Sequence, residues 1–190
     1  MAVVTVNDLY IKEIDRHVTC EFQEGITYLK GKNGSGKTLF LDYLSGLRGN
    51  QGIDNNIYMR QNFTFYNRLT VQEYIHFIQD LSGNSRQHFV DFLQSYYPEM
   101  DFERYKKKRL GMLSGGEKRL IYVLSILSVK RDWYILDEPF ANIDQETKDD
   151  LITIITAIRQ NQKANFILTS HEPMDFNQLH TLDFNALLKA

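Results

Sequence analysis

The segment Gly31-Lys32-Asn33-Gly34-Ser35-Gly36-Lys37-Thr38 is the strongest indicator of fold in this chain. It matches the pattern G-x-x-x-x-G-K-[ST] in full. In such a loop the glycines let the backbone wrap a phosphate chain with its N–H groups pointing inward. The strand-forming residues Ile26–Lys30 precede the loop, and an apolar stretch at helical spacing that includes Leu39 and Leu41 follows it. The predicted helix therefore offers its positive N-terminus to the same anion.

The residue types in the loop assign roles around a bound nucleotide. The Lys37 ammonium is expected to reach the β- and γ-phosphates, and the Thr38 hydroxyl to ligate Mg²⁺. The residues expected to contact the nucleotide are Asn33, Gly34, Ser35, Gly36, Lys37, Thr38 and Leu39.

Two carboxylates follow an apolar run of strand length, Trp133–Leu136. The carboxyl ends of parallel strands lie at one edge of the sheet, and a phosphate-binding loop that follows a strand lies at the same edge. We therefore expect Asp137 to hold Mg²⁺, directly or through water, and Glu138 to lie beside the γ-phosphate and polarise an attacking water.

The composition indicates one soluble globular domain. Of the 190 residues, 43% are apolar and 24% are charged, and the net charge of −2 gives no reason to expect nucleic acid as a partner. Cys20 is the only cysteine, which is typical of a reducing compartment. The first residues do not read as a signal peptide. The longest uncharged apolar-rich run, Leu120–Val129, is shorter than the roughly 18 residues of a membrane span.

The order of predicted elements indicates an α/β fold: a P-loop NTPase core with a mostly parallel sheet and helices on both faces. We expect a small N-terminal antiparallel part, with strands at Val3–Val6 and Val18–Phe22, and a last strand at Asn165–Thr169. Residues 62–112 are expected to form an inserted helical subdomain within a single domain spanning residues 1–190. There Thr70-Val71-Gln72-Glu73 predicts a capping box that opens a helix ending near Leu81.

The segment Leu113-Ser114-Gly115-Gly116-Glu117 resembles the signature of the ATP-binding cassette (ABC) family. Ser114, Gly115 and Gly116 are expected at a helix N-terminus with open N–H groups, which makes a second anion site. In the family this segment closes on the γ-phosphate held by a partner cassette. The alternative interpretation is an ordinary serine N-cap followed by a Gly-Gly turn.

The resemblance covers nearly the whole chain and implies further site residues. Gln61 matches the Q-loop glutamine that contacts Mg²⁺ or the attacking water, and His171 matches the switch histidine at the γ-phosphate. Asp144 matches the aspartate that crosses the dimer seam, although simple helix capping would also explain it. The implied cofactors are ATP and Mg²⁺, the implied catalytic residues are Glu138, His171, Gln61 and Lys37, and the implied magnesium ligands are Thr38, Gln61 and Asp137.

Within the family, the chain is most similar to the ATP-binding subunits of transporters. It has one cassette, and no heptad run separates its motifs. The stretch Asn67–Glu73 resembles the "LTV-x-E" segment of exporter-type subunits. The resemblance implies an ATPase that pairs with a second cassette, in a homodimer or a heterodimer, and with a multispanning membrane permease. Its expected location is the cytoplasmic face of the cell membrane, held there by that partner.

Two other functions stay open at this stage. One is a soluble ABC ATPase of an assembly complex, such as iron–sulfur cluster biogenesis, and the other is a nucleotide-dependent regulatory module with little turnover. Tyr10 is the candidate for stacking on the adenine base. The aromatic residues Phe63, Phe65, Tyr66, Tyr74 and Phe77 are core residues or, where exposed, a docking groove for a partner helix.

Overall fold

The computed structural model describes residues 3–49, 52–62, 66–172 and 174–189. Phe63 and Phe65, two of the predicted aromatic group, lie outside the described residues. The chain divides into two compact units. The first unit comprises residues up to 61 together with 131–139 and 162–190, and the second comprises 62–130 and 140–161.

The strands all belong to the first unit. In chain order they are β1 (Val4–Ile11), β2 (Arg16–Phe22), β3 (Ile26–Lys30), β4 (Asn56–Met59), β5 (Trp133–Leu136), β6 (Asn165–Leu168), β7 (His180–Asp183) and β8 (Leu188–Lys189).

The helices are distributed over both units. In chain order they are α1 (Lys37–Leu44), α2 (Val71–Leu81), α3 (His88–Tyr96), α4 (Phe102–Lys106), α5 (Gly115–Leu127), α6 (Gln145–Gln162) and α7 (Phe184–Leu187), with a short 3₁₀ helix at Leu110–Met112. No helix formed by the described residues is long and apolar enough to cross a membrane.

The larger sheet confirms the predicted α/β fold. Its five strands run in the order β4-β5-β6-β3-β7, and every neighbouring pair is parallel. Every residue of β5 and β6 is buried, as expected for central strands that are covered on both faces. The parallel arrangement brings the carboxyl ends of β3, β5 and β6 to one edge of the sheet, where the predicted site residues follow.

The smaller sheet has the order β1-β2-β8 and is antiparallel. β1 is longer than predicted, because it continues past a register shift between Val6 and Leu9. The prediction that Asn165–Thr169 is the last strand is wrong, since β7 and β8 follow it. β7 carries the residues His-Thr-Leu-Asp and is mostly exposed, so it pairs through its backbone at the edge of the sheet without an apolar pattern.

A hydrophobic cluster of described residues holds α1 in place within the first unit. Phe40, Leu41 and Leu44 of α1 are at most 1% exposed. They belong to one cluster with residues of both sheets, including Phe22 and Trp133. The helix that follows the phosphate-binding loop is therefore anchored to both sheets, and this anchoring sets the position of the loop.

The second unit contains the helices predicted for residues 62–112, together with α5 and nearly all of α6. The capping box at the start of α2 is confirmed: the Thr70 hydroxyl accepts from the Glu73 backbone N–H, and the Glu73 carboxylate accepts from that of Thr70. Tyr74 is a core residue, with its hydroxyl hydrogen bonded to Ser125. Tyr66 and Phe77 are exposed.

Candidate functional site

The phosphate-binding loop lies between β3 and α1. Gly36 is the N-cap of α1 and has φ of +99°, a conformation that residues with a side chain rarely adopt. The Lys37 ammonium donates to the backbone oxygens of Gly31 at 2.7 Å and Lys32 at 2.9 Å, and the residue is 8% exposed. A cation held only by neutral carbonyl groups remains available to pair with a phosphate.

Asp137 follows β5 and is held by two hydroxyl groups. Thr38 Oγ1 donates to Asp137 Oδ2 at 2.7 Å, and Thr169 Oγ1 donates to Asp137 Oδ1 at 2.6 Å. The Glu138 backbone N–H in turn donates to Thr169 Oγ1 at 2.9 Å. The first turn of α1 and the ends of β5 and β6 are thus joined through one carboxylate. Thr169 was not predicted to belong to the site, although its place directly after an apolar strand is the same signal that identified Asp137.

Glu138 is a buried carboxylate with an unused acceptor. It has φ of +54° and is 5% exposed. Glu138 Oε2 accepts from the His171 backbone N–H at 3.1 Å. Glu138 Oε1 lies 3.3 Å from His171 Nε2 but not in hydrogen-bonding geometry, and this oxygen is buried without a hydrogen bond.

Burial raises the pKa of the Glu138 carboxyl above its usual value, and the neighbouring His171 opposes that shift only in part. A carboxylate whose pKa is raised toward neutrality is a better general base than an exposed one. Such a perturbed acid inside a cavity also indicates a functional site.

These residues line one cavity of about 460 Å³, a volume in the usual range for small-molecule sites. Ten of the predicted residues and Ile14 line it: Ile14, Asn33, Gly34, Gly36, Lys37, Thr38, Leu39, Gln61, Asp137, Glu138 and His171. Ser35 belongs to the same loop, and its hydroxyl is buried without a hydrogen bond.

Ile14 also lines the cavity, although no motif in the sequence identified it. It lies between β1 and β2, and its Cδ1 would be 2.9 Å from a Cβ added to Gly36. Tyr10 is not among the described residues that line the cavity. Its ring packs on His17 with centroids 5.0 Å apart, and its hydroxyl donates to Asp15.

A second contact to the loop comes from the C-terminal segment. Asn185 Oδ1 accepts from the Lys32 backbone N–H at 3.2 Å and would lie 2.9 Å from a Cβ added to Gly31. Asn185 belongs to α7, a helix that the sequence did not predict. No motif identifies such a residue, because the contact depends on β7 pairing with β3.

The remaining predicted residues belong to the second unit. Ser114 is the N-cap of α5 and forms a full capping box with Glu117. Gly115 is exposed, and a Cβ added to it would meet nothing within 4 Å. The start of α5 is therefore uncrowded beside Gly115.

Asp144 caps α6 within the same unit. Asp144 Oδ1 accepts from the Thr147 backbone N–H and Oδ2 accepts from the Thr147 hydroxyl, both at 3.0 Å. The hydrogen bonds from Thr147 lower the pKa of the Asp144 carboxyl. The capping role that was considered for Asp144 is therefore present, and its role at a dimer seam stays a prediction.

Known proteins resemble the chain in sequence and in fold. The zinc import ATP-binding protein ZnuC of Rickettsia bellii is 30% identical over 159 residues, which cover 79% of this chain and 66% of that protein. An ABC transporter ATP-binding protein from Pyrococcus furiosus superposes with a TM-score of 0.76 at 21% identity, covering 99% of this chain and 100% of the other. The dimeric structure of MJ0796, a bacterial ABC transporter cassette, gives a TM-score of 0.70 at 16% identity, covering 82% and 79%.

The two structural likenesses show the fold, and the sequence comparison shows the family. The family model described as ABC transporter matches residues 16–141, which is more than half of the chain and includes the phosphate-binding loop, the signature and the acidic pair. The chain spans about two thirds of the length of the Rickettsia relative. The chain belongs to the ABC transporter family of ATP-binding proteins.

Proposed function

We propose that this chain binds and hydrolyses ATP as the ATP-binding subunit of an ABC transporter and drives a separate membrane permease. The observation that carries the proposal is one cavity in which the Lys37 ammonium, the Thr38–Asp137 pair and the Glu138–His171 pair meet. These are the parts that phosphoryl transfer to water needs: a cation and oxygen ligands for the phosphates and their metal, and a base for the water.

Mg²⁺ fits the donor set of the cavity. The Thr38 hydroxyl and the Asp137 carboxylate are 2.7 Å apart, and Gln61 lines the same space. All three supply oxygen atoms, which are the ligands that Mg²⁺ prefers. When bound, Mg²⁺ would neutralise charge on the β- and γ-phosphates. Lys37 would exchange its contacts with the loop carbonyls for contacts with the same phosphates.

Glu138 supplies the base. Its Oε1 has no hydrogen bond and would accept a proton from a water molecule placed at the γ-phosphate. The oxygen of that water bonds to the γ-phosphorus while the bond to the bridging oxygen breaks, and ADP leaves with the bonding electrons. His171 Nε2 lies 3.3 Å from Glu138 Oε1. From there His171 would stabilise the negative charge that develops on the phosphate oxygens in the transition state.

A second cassette completes the site in this proposal. The amides at the start of α5 would bind the γ-phosphate held by a partner, because the capped helix N-terminus at Ser114 is open around Gly115. The dimeric cassette structure among the similar proteins supports this arrangement. ATP binding would close the dimer and hydrolysis would reopen it, in a homodimer or a heterodimer.

The transporter assignment rests on the family and on one stretch of sequence. The residues Asn67–Glu73 resemble an exporter-type segment, and this resemblance favours export, whereas the relative from Rickettsia bellii is named as an import protein. The chain would act as a single nucleotide-binding domain, with its helical subdomain at 62–112 and its place at the cytoplasmic face of the membrane, held there by the permease.

ATP turnover by the purified protein tests the enzymatic part, with Glu138→Gln as the variant. The substitution keeps the shape of the side chain and removes the base, so kcat should fall by about 100-fold or more. Binding of ATP should persist. Glu21→Gln makes the same change at an exposed carboxylate of β2 and should leave turnover unaltered. Full turnover by Glu138→Gln would contradict the assigned base.

Gentle isolation from the membranes of the native cell tests the transporter part. A stoichiometric multispanning protein in the preparation is the expected result. A preparation with only soluble companions would refute the transporter assignment and favour an assembly ATPase, with the ATP chemistry unchanged.

A further inference from the structure

Asp42 is a fully buried carboxylate that the proposed chemistry does not use. It belongs to α1 and is 0% exposed. Asp42 Oδ1 accepts from the Tyr58 hydroxyl at 3.0 Å, and Oδ2 accepts from Arg60 Nη2 at 3.0 Å and from Arg48 Nε at 3.1 Å. Three donors around one buried carboxylate make a fully satisfied, charge-assisted cluster.

We propose that Asp42 is a positioning residue for Gln61. Through its ion pair with Arg60, it holds the segment that follows β4 against the helix that carries Lys37 and Thr38. This inference rests on the proposed function, in which Gln61 acts at the γ-phosphate.

The position of Asp42 along α1 is the first support. It lies four residues after Thr38, so the two side chains are on the same face of the helix, one turn apart. Thr38 binds Asp137 at the end of β5, and Asp42 binds Tyr58 and Arg60 at the end of β4. One face of α1 therefore fixes the ends of two neighbouring strands.

The location of Gln61 is the second support. The ladder between β4 and β5 ends with the pair Met59 and Leu136, and the Asp137 backbone N–H donates to the Met59 oxygen at 2.9 Å. Arg60 and Gln61 come after that last pairing, and Gln61 lines the nucleotide cavity. Beyond the ladder the Arg60 side chain binds the segment to Asp42, so this ion pair restrains the backbone next to Gln61.

Arg48 provides a matched comparison for Arg60. Both guanidinium groups contact Asp42 Oδ2, at 3.1 Å and 3.0 Å, and their side chains are similarly exposed, at 42% and 46%. Arg48 follows α1 and also pairs with Glu13. Removing either guanidinium deprives the Asp42 carboxylate of one positively charged partner. Only Arg60 is adjacent to Gln61 in the chain.

The first test compares Arg60→Gln with Arg48→Gln in ATP turnover. For Arg60→Gln we expect kcat to fall by about 10-fold with the KM for ATP altered less than about 3-fold, because displaced catalytic groups lose rate more than ground-state binding. Arg48→Gln should stay within about 2-fold of the unaltered protein, and Arg60→Lys should recover part of the loss. Adding Arg60→Gln to Gln61→Ala should lower kcat no further than Gln61→Ala alone.

Equal losses in Arg60→Gln and Arg48→Gln would overturn the proposal, because the cluster would then act only on stability. Independent, multiplying effects of Arg60→Gln and Gln61→Ala would also overturn it.

Hydrogen exchange gives a measurement that does not depend on turnover. In Arg60→Gln the amides of residues 57–62 should exchange faster, while those of β5 stay protected. In Arg48→Gln the amides of residues 57–62 should keep their protection. If the unaltered chain hydrolyses no ATP, the proposed function fails and this exchange result still decides the role of the ion pair. Unchanged exchange at 57–62 in Arg60→Gln would refute it.

Discussion

Thr38 and Asp137 are joined by a hydrogen bond of 2.7 Å from the threonine hydroxyl to Asp137 Oδ2. The bond connects the first turn of α1 to the end of β5, and Thr169 holds the other oxygen of the same carboxylate at 2.6 Å. Asp137 is 2% exposed, so its orientation depends on these two hydroxyl groups. The pair places a hydroxyl and a carboxylate together at the mouth of the phosphate-binding loop.

Thr38→Val should impair both metal use and stability. It removes the hydroxyl with little change in shape and leaves Asp137 Oδ2 without that donor. We expect the Mg²⁺ concentration for half-maximal ATP turnover to rise by about 10-fold or more. The free energy of unfolding in urea should fall by about 1–3 kcal/mol. Thr38→Ser retains the hydroxyl and serves as the control. Equal Mg²⁺ requirements for the two variants would argue against Thr38 as a metal ligand.

The rate of ATP turnover should depend on pH through Glu138. Only the ionised carboxylate can accept a proton, and burial raises its pKa. As the pH is lowered, kcat/KM should therefore begin to fall at a higher pH than it would with an ordinary glutamate. The ordinary glutamate pKa is about 4.3. A pH profile at saturating Mg²⁺ measures this. A rate that stays constant down to the ordinary glutamate range would show that Glu138 is not the titrating base.

Glu138→Gln should make the protein more stable at neutral and alkaline pH. The folded-state pKa of Glu138 is raised, so the folded state binds more protons than the unfolded state, and its ionisation destabilises the fold as the pH increases. Glutamine removes that cost. Thermal unfolding should show a gain in Tm that is larger at about pH 8 than at about pH 5. A loss of Tm that does not vary with pH would contradict the assigned cause of the shift.

Gly36→Ala should be more destabilising than Gly34→Ala. Both glycines have positive φ, at +99° and +73°, but only at Gly36 would a Cβ meet another atom, Ile14 Cδ1 at 2.9 Å. Each alanine should cost about 1–2 kcal/mol for its conformation, with an added steric cost at Gly36. Ile14→Val removes that Cδ1, so the double variant should recover the added part. Denaturant unfolding of Gly34→Ala, Gly36→Ala, Ile14→Val and the double variant measures these free energies of unfolding. Equal losses for the two glycine variants, with no recovery in the double variant, would refute the contact.

Gly115→Asp should separate folding from activity. Open space surrounds Gly115, and an acidic residue is favourable in the first turn of a helix, so the thermal stability of α5 and its unit should persist. The new carboxylate would repel a phosphate presented by a partner cassette. We expect ATP turnover to fall by about 10-fold or more while binding of ATP to the isolated chain is retained. Unimpaired turnover would argue against closure of this helix on a partner's nucleotide.

The elements that could be predicted are those with a local signal. The glycine pattern from Gly31 to Thr38 located the loop, and the buried run Trp133–Leu136 located both a strand and the acidic pair after it. The capping boxes at Thr70 and Ser114 start α2 and α5 because the required residues are three positions apart. In each case the residues that determine the structure are neighbours in the chain.

Motif spacing and apolar patterning are local, so they were enough to predict the family resemblance, the parallel α/β core and ten of the residues that line the cavity. Tertiary packing was needed to place Thr169 against Asp137, Asn185 against the loop, and Ile14 rather than Tyr10 at the cavity. Only the tertiary structure also joined Asp42 to Arg60. These contacts connect elements that are distant in sequence, and their residues form no local pattern, so strand order and register bring them together.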